Sequence, residues 1–132
     1  MTMATQTHKQ LPRAFRAIRL ELAREANHPA GSPDYGYRLV VPLNADACID
    51  LDLWKQHRDA CRVVRFRPDE TDDVGHLVRR GAGWAFHYDI QGQDPDEIGY
   101  RLGDERFNIG EYVSIREDDG MHTFRVTSVE HI

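Results

Sequence analysis

The stretch from Gly110 to Val129 constrains the fold of this chain more than any other, because two alternating runs flank Asp118-Asp119-Gly120. Asp-Gly between alternating apolar and polar residues is the strongest short-range hairpin signal. A two-residue loop at Asp119-Gly120, or a four-residue one, pairs Ile115 with Phe124 and Val113 with Val126. One face is then apolar, and the other carries Arg116 opposite Thr123, Ser114 opposite Arg125 and Tyr112 opposite Thr127. A three-residue loop would set Ile115 against Thr123 and Val113 against Arg125. Side chains alternate with period two, so that slip would bury the wrong row. The first register is expected, and with it a half-buried antiparallel sheet.

Upstream, Trp84, Phe86 and Tyr88 alternate on one strand of a second expected hairpin, Val74–Arg80 and Trp84–Asp89 around Gly81-Ala82-Gly83. Further extended pieces are Tyr35–Leu43, Cys61–Arg67, Gly99–Leu102 and Phe107–Ile109. Pro68 ends the third strand, and Asp69–Asp73 and Gln91–Glu97 read as loops. A short helix is expected near residues 50–58, capped by Asp50 or Asp52, with Leu51 and Trp54 facing inward. Residues 12–26 carry two patterns. Leu11, Phe15, Ile18 and Leu22 repeat at helical spacing, whereas Ile18, Leu20 and Leu22 alternate as in a strand. The strand is favoured because Tyr35–Leu43 needs a hairpin partner. The chain is therefore expected to be mainly all-β, a small antiparallel barrel of seven or eight short strands with a β-sandwich as the alternative. Closure into a barrel removes exposed sheet edges.

At 132 residues a single domain is expected over 11–132, preceded by a disordered polar N-terminus at 1–10. No apolar run is long enough for a membrane helix or a secretory signal, so a cytoplasmic protein is expected. A net charge of -5 disfavours a general nucleic-acid binder, whose affinity comes from neutralising phosphates. Arginine dominates the basic residues, with Lys9 and Lys55 the only lysines, and codon usage accounts for that better than anion recognition does. Cys48 and Cys61 lie in no metal-ligand spacing.

The seven histidines raise metal binding first. His76 and His87 fall opposite each other if the second hairpin turns at Gly81-Ala82, but no metal-binding motif surrounds them, and no metal or cofactor is expected. Glu117 and His122 face each other across the last hairpin in the expected register, more simply as a cross-strand contact than as a poised base. The acidic clusters lack calcium-loop spacing. No nucleophile elbow or phosphate-binding glycine loop occurs. Arg58, Arg62, Arg65, Arg67, Arg79 and Arg80 beside Trp84 and Phe86 suggest a basic, aromatic face for single strands.

The motifs G-Y-R-L-V-V-P-L at Gly36–Leu43, G-W-A-F-H-Y-D at Gly83–Asp89 and G-E-Y-V-S-I-R-E-D-D-G-M-H-T-F-R-V at Gly110–Val126 resemble a family of small conserved hypothetical bacterial proteins with no assigned activity. The resemblance implies one compact domain and transfers no functional residue. The expected function is that of a non-enzymatic cytosolic barrel binding a small ligand or a protein partner, a second copy included. Its candidate ligand-binding residues are Trp84, Phe86, Tyr88, His76 and His87. A single-stranded nucleic-acid module and a small metal-assisted hydrolase using His76 and His87 are the alternatives.

Overall fold

A computed structural model describes residues 11–89, 97–100 and 102–132. Eight strands run in chain order around a closed antiparallel barrel. They are β1 (Phe15–Leu22), β2 (Ser32–Pro42), β3 (Arg62–Phe66), β4 (Asp73–Arg80), β5 (Gly83–Tyr88), β6 (Glu97–Tyr100), β7 (Tyr112–Glu117) and β8 (Gly120–His131). Each pairs with its sequence neighbour, and β8 closes on β1, from Arg16 opposite His131 to Leu22 opposite Phe124. The sandwich is thus excluded. Closure leaves no free edge strand, which a sandwich of this size would expose.

The alternating pattern of residues 15–22 wins over the helical one because both neighbours pair with it. β1 lies between β2 and β8, and Ile18, Leu20 and Leu22 all point into the core. Helix propensity yields here to tertiary pairing. The one α-helix among the described residues, α1 (Leu51–Gln56), is N-capped by Asp50, whose Oδ1 accepts from the Leu53 N–H at 3.1 Å. A single 3-10 turn, Arg58–Ala60, follows it. Residues 107–109 belong to no strand, contrary to expectation, because Phe107 is bonded to the connection after β2 through its N–H to Ala47 O. Of the loop expected at Gln91–Glu97, residues 91–96 lie outside the described residues, and Glu97 itself opens β6.

The second hairpin turns at Gly81-Ala82, so His76 does face His87. In the last hairpin the register differs by one residue pair from expectation. Val113 faces Phe124, Ile115 faces His122 and Glu117 faces Gly120. The loop is Asp118-Asp119, and Gly120 is the first residue of β8 at φ +128°, a conformation that suits glycine. Arg116 therefore opposes Met121, Ser114 opposes Thr123 and Tyr112 opposes Arg125. A two-residue shift preserves which face each side chain occupies, so Val113, Ile115, Phe124 and Val126 are still buried together.

The barrel has two unlike ends. The connections after β2 and β6, the β4–β5 turn and the chain ends lie at one of them. Phe15, Trp54, Trp84, Leu102 and Phe107 are buried in the core there, and Trp54 donates its indole N–H to Leu77 O at 3.0 Å. At the other end lie the loops after β1, β3 and β7, with the end of β5 and the start of β6. This second end is the mouth.

Candidate binding site at the barrel mouth

Along four strands the inward row changes from apolar to polar on approaching the mouth. On β2, Val41 and Leu39 give way to Tyr37 and Tyr35. On β3, Cys61 and Val63 give way to Arg65 and then Arg67 just beyond the strand. On β5, Trp84 and Phe86 lead to Tyr88, and on β7, Val113 and Ile115 lead to Glu117. β6 adds Glu97 and β8 adds His122. An inward row normally stays apolar through a small barrel.

These side chains form one hydrogen-bonded cluster around two buried carboxylates. Glu97 Oε1 accepts from Tyr88 Oη at 2.6 Å and lies 2.9 Å from Tyr37 Oη, while Oε2 accepts from Arg65 Nη1. Glu117 Oε1 accepts from Tyr35 Oη at 2.6 Å and from Arg67 Nη2 at 2.9 Å, and its Oε2 accepts from Tyr37. Arg65 also donates from Nε to Asp73 at 2.9 Å. The two guanidiniums stack on phenol rings, Arg65 over Tyr88 at 4.7 Å and Arg67 over Tyr35 at 4.9 Å.

Electrostatics keep the three phenols protonated and therefore donating. Burial, then the bond to Glu117, lifts the Tyr35 hydroxyl above the ordinary phenol range. Burial and the charges of Glu97 and Glu117 do the same for Tyr37, and burial with Glu97 for Tyr88. For Arg65, burial opposes the charge but loses to the Asp73 hydrogen bond and the Glu97 charge, so the guanidinium is held more firmly cationic.

At the rim, His122 extends the cluster outward. Its Nδ1 lies 2.9 Å from Glu25 Oε1, and its Nε2 lies 2.7 Å from Asp119 Oδ1 and 3.8 Å from Glu117 Oε1. Glu117, Asp119 and His122 each offer a ligand atom, all within 4.8 Å of one another, and they are the residues most able to hold a metal ion among those described. An imidazole oriented by a carboxylate on its far nitrogen is also the usual habit of a metal-binding histidine. The bond from Arg67 to Glu117 Oε1 competes for one of those ligand atoms.

The residues expected to bind a ligand divide among the core, the mouth and the outer wall. Trp84, Phe86 and Tyr88 are inward and buried, and only Tyr88 reaches the mouth cluster. His76 and His87 face each other on the outer wall, where both line the groove that also holds Arg58, Arg79 and Arg80, and His76 contacts Asp89 at 3.1 Å. The arginine row is divided as well. Arg65 and Arg67 turn into the mouth, whereas Arg58, Arg79 and Arg80 line a groove at the opposite end. Trp84 and Phe86 are covered, so they offer no stacking face for bases.

The spacing of Glu117, Asp119 and His122 across a tight turn matches no metal motif, which is why sequence reading pairs Glu117 with His122 only as a cross-strand contact and leaves Asp119 out. A signal was nevertheless present. Arg65 and Arg67 share parity with Cys61 and Val63, and Glu117 shares it with Val113 and Ile115. The fold defines an eight-stranded closed antiparallel barrel with a charged mouth. Compared with family models, with curated proteins and with solved structures, the chain matches none.

Proposed function

We propose that this protein is a non-enzymatic binding barrel that takes a small cation at its mouth. The carrying observation is a surplus of negative charge gathered at one end of the barrel. Five carboxylates (Glu25, Asp73, Glu97, Glu117 and Asp119) face Arg65, Arg67, His122 and His28, so an anionic excess remains even with both imidazoles protonated. Burying ions is costly, and replacing such clusters by apolar residues is often neutral or stabilising. A charged cluster with perturbed groups in one corner of an otherwise apolar barrel therefore favours a functional role. Binding is favoured over catalysis because no described serine or cysteine enters the cluster to act as a nucleophile.

The protein-partner reading has less support. Ile98 and Met121, both partly exposed, flank Arg116 on the outer wall, and a charged residue divides that patch.

The test is a thermal-shift and calorimetric titration with zinc chloride and, separately, with 1,4-diaminobutane. A zinc-dependent rise in melting temperature that disappears in Glu117→Gln and His122→Ala marks the cation as a metal ion. A rise with the diamine alone marks it as an organic ammonium. Absence of both effects would refute the reading.

A further inference from the structure

A second, oppositely charged site lies at the far end of the barrel. There α1, the following 3-10 turn and the β4–β5 hairpin enclose a groove of about 560 Å³. That volume lies within the roughly 300–1,000 Å³ of small-molecule sites. Among the described residues its charged lining is Lys55, Arg58, Arg79 and Arg80 with one carboxylate, Asp59. A neighbouring depression shares Lys55, Arg58 and Asp59, so the basic track continues around the helix.

Two of these cations are held in place before any ligand arrives. The Arg58 guanidinium lies 4.7 Å from the Trp54 ring centroid, and that of Arg79 lies 4.6 Å from the Trp84 centroid. The two indoles meet edge to face at 5.2 Å, giving a continuous series Arg58–Trp54–Trp84–Arg79. Trp54 is itself fixed by its bond to Leu77 O. Among the described residues neither Arg58 nor Arg79 has a carboxylate partner, nor does Lys55. A stacked guanidinium keeps its N–H edge free for an oxyanion, and its planar fork matches phosphate better than an ammonium does.

We infer that this groove is a binding site for a small anion bearing phosphate groups. Recognition runs through the phosphates. The indoles are covered by the arginines that stack on them, so a base has no ring to lie against. The inference is independent of the mouth, which lies at the other end of the barrel.

The experiment is calorimetric titration of the full chain with inorganic tripolyphosphate at low salt, with a fluorescent ten-nucleotide oligothymidylate as a second arm. Tripolyphosphate should bind, more weakly as salt rises. Arg58→Gln and Arg79→Gln should each weaken it about tenfold or more, as expected for a lost charged hydrogen bond. Arg125→Gln, on the opposite wall, should leave it unchanged. Circular dichroism and melting curves establish that each variant is folded, and Arg79→Lys, which retains the charge, should recover part of the affinity. If the oligonucleotide displaces tripolyphosphate, the phosphates come from a polynucleotide; if it does not, they belong to a small metabolite. Failure of tripolyphosphate to bind, or an equal loss in Arg125→Gln, would overturn the assignment.

Discussion

The hydroxyl of Tyr37 lies 2.9 Å from Glu97 Oε1, joining two residues 60 positions apart in the chain. The same hydroxyl also donates to Glu117, so one proton faces two buried carboxylates. Tyr37 is fully buried, with its ring against Phe86 and Phe124. It links the apolar core to the charged mouth.

Removing that hydroxyl leaves the shape of the core intact and takes a donor from two acceptors. Tyr37→Phe should destabilise the barrel by about 1–3 kcal/mol, the cost of leaving a buried polar group short of a partner. Urea unfolding followed by circular dichroism measures the difference. An unchanged midpoint would mean that water or neighbouring arginines replace the lost bond.

Stability should depend on pH through His122. Burial lowers its pKa, but hydrogen bonds to Glu25 and Asp119 and the charge of Glu117 outweigh burial, so the folded value is raised. A group with a raised folded pKa contributes stability that is complete below its unfolded value, about 6.5, and lost as pH rises through the folded value. The melting temperature should therefore fall on going from pH 6 to pH 8.5, and His122→Gln should flatten that slope. Glu25→Gln should flatten it partly. A slope equally steep in His122→Gln would assign the dependence to another group.

The approach of β1 and β2 at Gly36 leaves no room for a side chain. A Cβ there would stand 1.9 Å from Leu20 O and 3.0 Å from the Phe66 ring. Backbone cannot yield as a flexible side chain can. Gly36→Ala should cost about 2–3 kcal/mol or prevent folding, as overpacking does. Gly81→Ala meets no atom within 4 Å and is strained only through its φ of +62°, so it should cost less. Comparing the two melting temperatures tests the ordering.

The two thiols should differ in reactivity. Both are free, and burial pushes that of Cys61 up to about 12. Cys48 is only partly buried. A thiol reagent at neutral pH should modify Cys48 in the native protein and reach Cys61 only on unfolding, because the thiolate is the reactive form. Equal labelling rates would show that the end of the barrel at Cys61 opens freely.

The outward-facing chemistry and the fold class were legible in the chain itself. Alternation in Tyr112–Glu117 and Trp84–Tyr88, with turn residues at Gly81-Ala82 and within Asp118-Asp119-Gly120, required an antiparallel sheet, and period two assigned Trp84, Phe86, Tyr88, Val113 and Ile115 to the inner face. Asp50 before Leu51 marked the helix start. These are local facts, set by dihedral preference and side-chain periodicity, and one strand suffices to read them. The register of the last hairpin was less secure, because a shift by one residue pair leaves every face unchanged and only Gly120's backbone conformation separates the two.

What lies between strands was decided by closure. That residues 15–22 are a strand follows from pairing with β2 on one side and with β8, over a hundred residues later, on the other. The mouth is the same kind of fact. Arg65, Glu97 and Glu117 are each unremarkable charged residues in sequence, one in an apparent surface row and another at a loop boundary. They become one cluster because the barrel brings the ends of β3, β6 and β7 to a common rim, and their buried charges can be sustained only when each meets its partners there. Charge and alternation were written along the chain, but which charges share a site was settled by a topology that no single segment encodes.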